Sequence, residues 1–425
     1  MSEIKEEIKN YNCAFCGSSD ILVVTDFGNM GLAGGFLSKK ELNNETLYPM
    51  NLGFCGDCYA VQIVDKIDPD TMFRKGYFYF SSSIGTLREH FKNYAYEIVD
   101  RFVSSPESTT ILEFGCNDGV LLSPLADMNI GTLIGVDPAS NVVKNIDDER
   151  IVTIDSYFDE KCAEKVVKEF GNVDLILANN VFAHVDDING LTKAIDKALG
   201  RNGVFVFEVH YLGKIIDEMQ YDMIYHEHIY YYSLLALENH FSHYGMQVFD
   251  IKEVSNHGGS IRFHVCRNNS EFASISERVV SLRNEELSKG FNNISLFQEF
   301  GKKINQQRSN LVNLLQSLKS EGKSIIGYGA SGRANTMLQF CGIDNKLIDY
   351  MVDDAPAKTG FYTPGSHLEI KSKIPTTGHE RPDYVVIFAW TFLKEICDRN
   401  MDYIESGGSF IVPLPDVKIL DTNSL

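Results

Sequence analysis

Two short stretches of this chain carry residue types that do chemistry. Tyr225-His226-Glu227-His228 sets two imidazoles, a carboxylate and a phenol within four positions, and Glu113-Phe114-Gly115-Cys116-Asn117-Asp118-Gly119 has the make-up of a tight strand-to-helix turn. Imidazole titrates closest to neutrality, so it suits a general base, and an adjacent carboxylate can orient it or raise its basicity. Glycines at a turn let the backbone approach a bound cofactor closely. A cofactor cradle combined with a base points to methyl transfer onto carbon. Transfer to an oxygen or nitrogen lone pair often proceeds by positioning alone, whereas carbon must first become a carbanion or enolate. A metal site is the rival for the same residues, with His226 and His228 on one face of an extended strand and Glu227 opposite. The helical H-E-x-x-H arrangement is excluded by the spacing.

The elements that must hold these residues follow an alternating pattern. Apolar runs at 111–114, 132–136, 174–178 and 203–208, separated by helical stretches, predict a doubly wound parallel sheet with ligands at the carboxyl ends of its strands. Asp137 ends the second run about 20 residues after the glycine turn, where a carboxylate can accept hydrogen bonds from ribose hydroxyls. The turn, Asp137, Asp155-Ser156-Tyr157-Phe158 and Asn179-Asn180 fall in the order of a class I S-adenosylmethionine-dependent methyltransferase. A dinucleotide turn would want three glycines, and this one has two. His184 lies five residues past Asn179, either facing a substrate or buried as a satisfied core histidine.

Cys13-x-x-Cys16 and Cys55-x-x-Cys58 form two knuckles, each carrying a glycine, Gly17 and Gly56, where the chain must turn. Four thiolates complete a tetrahedral zinc shell and leave no open position, so the expected zinc is structural. The intervening segment is longer than a zinc ribbon requires, so it is expected to hold a hairpin or a loop, such as Met30 to Phe36, that reaches another domain. Gly76-Tyr77-Phe78-Tyr79-Phe80-Ser81-Ser82-Ser83 follows, suited to a site or to packing between domains.

Residues 270–320 read as long linking helices. Beyond them, Gly327-Tyr328-Gly329-Ala330-Ser331-Gly332-Arg333 matches G-x-G-x-x-G after a strand, with Asp353 and Asp354 at the distance of a ribose acceptor. Two ligands suit this turn: NAD, or the diphosphate of a nucleotide-sugar held by amides and an arginine. The run from Pro382 to Trp390 reads as a buried strand ending in the only tryptophan, with core packing as its ordinary role.

The chain has 425 residues and a formal charge of −19, which disfavours nucleic acid or anionic membrane as partners. No apolar leader and no stretch of roughly 20 apolar residues is present, so a cytoplasmic location is expected. Nine cysteines suit reduced thiols and a metal site better than disulfides.

In order, R-E-H-F (Arg88 to Phe91), E-F-G-C-N-D-G, N-N-V-F-A-H, Y-H-E-H, H-G-G-S (His257 to Ser260), G-Y-G-A-S-G-R and F-A-W follow the four cysteines. The sequence thereby resembles the three-domain sugar C-methyltransferases, which act on nucleotide-linked keto-deoxysugars such as the tetronitrose and mycarose precursors. The resemblance implies an α/β protein with a zinc module over 1–75, a class I methyltransferase domain over 76–268, and linking helices with a second Rossmann-like domain over 269–425. It implies S-adenosylmethionine bound through Gly115, Asn117, Asp137 and Asn179, and the sugar nucleotide bound through Gly329, Ala330, Ser331, Arg333 and Asn335. His228 is the implied base, with Tyr225, Glu227, His184 and Tyr79, in preference to Tyr77, around the sugar. The expected substrate is a dTDP-linked 4-keto-6-deoxy sugar methylated at C3, the expected assembly a monomer, and an NAD-dependent oxidoreductase the alternative. Arg333 stands where lysine is expected, and Thr391 follows Trp390 where asparagine is common; both bear on substrate identity.

Overall fold

The computed structural model describes residues 11–73 and 85–421. Tyr77, Tyr79 and the aromatic segment around them lie outside these residues. Three sheets organise the remainder.

The first sheet is antiparallel and runs Ile21–Met30, Tyr48–Cys55, Val61–Ile63 and then Tyr230–Tyr231, whose Tyr231 pairs with Val61. Met50, Leu52 and Phe54 are buried on it, and Phe54 stacks on Phe297 with ring centroids 4.1 Å apart. A strand from far along the chain thus completes the zinc module, which the local sequence pattern gave no reason to expect.

The second sheet has seven strands. From one edge they are Ile151–Ile154, Thr132–Val136, Thr110–Phe114, Val173–Asn179, Leu199–His210, Ser260–Arg267 and Met246–Val254, or 3-2-1-4-5-7-6 in chain order. The first five are parallel, and Ser260–Arg267 runs antiparallel to both of its neighbours. Successive residues of a strand face opposite sides, and both sides are covered. Leu112 and Phe114 pack with Val166, Leu191 and Ile195, while Ile111 packs with Leu87, Tyr94 and Leu125. Burial on both faces is why these strands read as continuous apolar runs. The expected strands at 111–114, 132–136, 174–178 and 203–208 are each present within longer or equal spans.

The third sheet runs Ile370–Lys371, Met351–Val352, Ile325–Tyr328, Tyr384–Ile387, Ser409–Val412 and Lys418–Leu420, in chain order 3-2-1-4-5-6, with only the last strand antiparallel. The chain is therefore α/β with two sheets of the doubly wound kind, each offering a ligand crevice where the strand order reverses. The helical stretch before it divides into Glu277–Lys289 and Ile294–Ser320. Ser276 caps the first, left-handed Gly290 ends it, and Asn293 caps the second. Glu286 anchors the first helix to the middle domain: fully buried, it accepts hydrogen bonds from the amides of Leu234 and Leu235 and from the Tyr211 hydroxyl. No helix of the described residues is long and apolar enough to cross a membrane.

Candidate active site

The four predicted cysteines come together at the foot of the first sheet. Cys13 and Cys58 sulfurs lie 3.5 Å apart, Cys16 and Cys55 sulfurs 3.6 Å apart, and all four fall within 4.8 Å. A tetrahedron of Zn–S bonds near 2.3 Å separates its sulfurs by roughly 3.8 Å. Among the described residues this is the one cluster suited to a metal. His226 joins none: its ring faces the Pro49 carbonyl at 3.1 Å. The Y-H-E-H segment forms a turn, closed by His228 N–H to the Tyr225 carbonyl at 2.9 Å, so the extended geometry of the metal alternative is absent.

At the crevice of the second sheet the chain leaves Phe114 through Gly115, whose φ is +66°, with Val181 only 2.6 Å from where a Cβ would stand. Only glycine fits both demands. Asp137 accepts from the amides of Asn117 (2.9 Å) and Ala139 (2.8 Å), which shapes the loop and leaves further lone pairs for hydroxyls. Asn179 donates from its side-chain amide to Glu113 at 3.0 Å. The second Glu113 oxygen and the Asn179 carbonyl oxygen are both buried without a partner among the described residues. Burial pushes the Glu113 carboxyl up to about 8.

Beside this crevice Glu208 is fully buried, held by His90 at 2.9 Å and Arg262 at 2.9 Å. Burial alone would raise its carboxyl, but His90 and Arg262 hold it below the usual range. The R-E-H-F segment thus reaches the end of the strand that carries Glu208.

The base cluster sits between the second and third sheets. His228 Nδ1 faces the Met223 carbonyl at 3.0 Å, a partner that can only accept, so the proton resides on Nδ1. In the neutral ring Nε2 then keeps its lone pair and accepts from the Tyr225 hydroxyl at 2.7 Å. His184 stacks on His228 with centroids 5.0 Å apart, and burial lowers its imidazole to about 4, which keeps it neutral. It is no isolated core histidine. Glu227 accepts from the Gly34 amide at 3.0 Å, its other oxygen is buried without a partner among the described residues, and burial raises its carboxyl.

The glycine-rich turn of the third sheet meets this cluster. Gly329 has φ +89°, and a Cβ there would come within 2.6 Å of the Ala389 Cβ. Ser331 caps the helix Gly332–Phe340 by accepting from the Ala334 amide. Arg333, expected to face the diphosphate, turns its Nε and one NH₂ to Asp222 at 2.8 and 3.0 Å. Trp390 is half-buried, and its indole N–H also donates to Asp222, at 2.9 Å, so its role exceeds core packing. Asn335 is fully buried and donates to the Ala33 carbonyl at 2.6 Å, while Gln339 both donates to the Gly31 carbonyl and accepts from its amide. The loop after Met30 does reach another domain, as its length suggested.

Comparison with known proteins places the whole chain. Residues 13–73 match the profile described as "Putative zinc binding domain", residues 87–251 that described as "Methyltransferase domain", and residues 255–415 that described as "C-methyltransferase C-terminal domain". C-methyltransferase NovU of Streptomyces niveus is 30% identical over 413 residues, covering 97% of each chain. The chain belongs to this multi-domain C-methyltransferase family. A ubiquinone biosynthesis O-methyltransferase of Azorhizobium caulinodans is 31% identical over 23% of this chain and 38% of its own. Among solved structures, the magnesium protoporphyrin IX methyltransferase of Synechocystis with bound S-adenosylmethionine is 12% identical, with TM-score 0.33, covering 48% of this chain and 98% of that one.

This C-methyltransferase is therefore an S-adenosylmethionine-dependent enzyme with a zinc-binding module. Its residues fit both groups. The four sulfurs already approximate a zinc tetrahedron. The orphaned oxygens of Glu113 and Asn179 call for N–H donors, which the amino-acid end of the cofactor carries. Glu113 sits within the glycine turn and Glu208 ends the apolar run 203–208, but neither position by itself shows a role, and Asp222 and Arg262 stand outside every motif. Nothing near those residues in sequence marks them; their partners lie on other elements.

Proposed function

We propose that the protein methylates carbon next to the ketone of a nucleotide-linked 4-keto-6-deoxy sugar, with C3 as the carbon and dTDP as the nucleotide. The observation that carries this reading is the hydrogen-bonded line from Met223 through His228 to Tyr225. In the neutral imidazole it sets a basic Nε2 with a phenol poised beside it. A lone-pair acceptor needs no such base; an acidic C–H does.

In this mechanism the ketone at C4 acidifies the C3 proton. Nε2 of His228 takes that proton as the C–H bond breaks, and the electron pair moves toward the C4 oxygen. The Tyr225 hydroxyl, released from Nε2, donates to the enolate oxygen, as a hydroxyl does in an oxyanion hole. Neutral His184 stacks on the ring that becomes cationic without adding a like charge. Glu227 has one oxygen without a partner among the described residues, an acceptor for a sugar hydroxyl. The resemblance assigns a second enolate donor to Tyr79. Bound S-adenosylmethionine supplies the electrophilic methyl group, and Gly115, Asn117, Asp137 and Asn179, together with Glu113, would hold it. Gly329, Ala330, Ser331 and the outer edge of Arg333 would hold the diphosphate, while buried Asn335 supports the loop above them. The enzyme is expected to be cytoplasmic and monomeric, which light scattering on the purified protein tests for assembly.

His228→Asn tests the base. The variant should bind S-adenosylhomocysteine and dTDP normally yet lose at least ~10²-fold in exchange of the C3 proton with deuterated solvent. NMR with S-adenosylhomocysteine present isolates this half-reaction. Undiminished exchange would move the base to Glu227 or His184. A panel of 4-keto-6-deoxy sugar nucleotides that yields no methylated product by mass spectrometry would sink the substrate class.

A further inference from the structure

Asp222 lies outside every motif that pointed to the site, yet it is fully buried and bonded to two residues of the third sheet's unit. Both of its oxygens face the third sheet: Oδ1 accepts from one Arg333 NH₂, and Oδ2 accepts from Arg333 Nε and from Trp390 Nε1. Arg333 opens the helix that follows the glycine-rich turn, and Trp390 follows the neighbouring strand across the crevice. One carboxylate of the middle domain therefore grips both lips of the third sheet's ligand crevice.

The same short turn, Tyr221–Met223, also governs the base. Met223, the next residue, supplies the carbonyl that holds the His228 Nδ1 proton. On the other side, Gln220 is fully buried, with His210 at 2.9 Å and its amide donating to the Gly258 carbonyl at 2.9 Å, which fixes the start of the turn in the middle domain. The turn is thus pinned at its base by Gln220 and at its tip by Asp222. The Met223 carbonyl thus follows directly on a residue held by two partners of the third sheet's unit.

We propose that Asp222 is a positioning residue that couples the two halves of the site. It fixes the Arg333 guanidinium side-on through Nε and one NH₂, which leaves the other NH₂ outside that pair for an anionic ligand, and it holds the Met223 carbonyl where it keeps the His228 proton on Nδ1. Binding of the substrate's phosphates and basicity of Nε2 then depend on a single buried carboxylate. The role assigned to Arg333 rests on the nucleotide-sugar reading; the role at His228 does not.

Asp222→Asn keeps the shape and removes the charge. In the ligand-free full-length variant, long-range ¹H–¹⁵N NMR of the histidine rings should show the Nδ1–H tautomer of His228 giving way to a mixture. With dTDP-4-keto-6-deoxyglucose as substrate, KM should rise and kcat fall, each by roughly tenfold or more, since small misplacements of reacting groups are costly. The dissociation constant of S-adenosylhomocysteine should stay within about twofold, because its crevice lies on another sheet. The double variant Asp222→Asn/Arg333→Gln should be no worse than the poorer single one, as two halves of one interaction are not additive. Trp390→Phe removes one donor only; if Asp222→Asn does not accumulate, it should shift the same imidazole signals in the same direction. Unchanged His228 signals in the variant that folds would overturn the proposal, as would a lower melting temperature with unaltered kinetics per folded molecule. A tautomer shift without turnover of the sugar nucleotide by wild-type enzyme would support Asp222 and reject the substrate.

Discussion

Glu113 and His184 are both withdrawn from water, and burial drives each to its neutral form: the carboxyl up to about 8, the imidazole down to about 4. Their consequences for pH differ in sign. Glu113 contributes stability to the ligand-free protein that is complete below its unfolded value near 4.5 and is lost as pH rises through about 8. His184 contributes stability that is present above its unfolded value near 6.5 and is lost as pH falls through about 4. A ligand ammonium beside Glu113 would reverse its protonation. Binding of S-adenosylhomocysteine at pH 7 should then release close to one proton, since roughly nine-tenths of the carboxyl starts protonated. Calorimetry in buffers of different ionisation enthalpy reads that number directly. Glu113→Gln should abolish the release and weaken binding; proton release undiminished in Glu113→Gln would place its source elsewhere.

At the scale of elements, the zinc module is joined to the rest of the chain at both ends. Its sheet takes Tyr230–Tyr231 as a fourth strand, two residues beyond His228, and its loop presents Gly34 to Glu227 and Ala33 to Asn335. Zinc would therefore stabilise the frame of the site without touching the chemistry, because four thiolates leave no coordination position open. Cys16→Ser and Cys55→Ser should lower the melting temperature by roughly 5 °C or more, the size of a loss of a few kcal/mol in a large domain. Turnover per folded molecule should fall much less. A zinc-free variant that melts normally but is inactive would reverse this assignment.

The whole molecule has two crevices, one at each strand-order reversal, and the Tyr225–His228 turn meets both: His228 stacks on His184 beyond the second sheet, and the Tyr225 ring lies 3.9 Å from where a Gly332 Cβ would stand. The third sheet's order and Asp353, placed at the end of its second strand, are also what a dinucleotide domain would show. Yet Asp353 accepts from the Ala355 amide at 2.9 Å and from Lys358 at 3.1 Å, and Lys358 also donates to the Ala330 carbonyl. NAD and a sugar nucleotide both carry a diphosphate, so Lys358 over the glycine turn suits either; what disfavours NAD is the Lys358 ion pair on Asp353, the carboxylate that would take its ribose hydroxyls. Titration should accordingly show dTDP binding at least about tenfold more tightly than NAD, a difference of roughly 1.4 kcal/mol. Tight NAD binding with quenching of nicotinamide fluorescence would return the oxidoreductase reading.

What the sequence alone determined was local: the paired cysteines, the glycine turns and the apolar strands. Each is written within a few residues, because thiolate spacing, left-handed backbone and burial on both faces of a parallel sheet are properties of short segments. The order of those segments carried the family. Tertiary structure decided which polar groups meet. Asp222 finds Arg333 and Trp390 across 111 and 168 residues, Glu208 finds His90 across 118, and Tyr231 completes a sheet begun two hundred residues earlier. The protonation of Glu113 and His184 likewise follows from loss of water, and hydration depends on everything packed around a side chain, which no local spacing records.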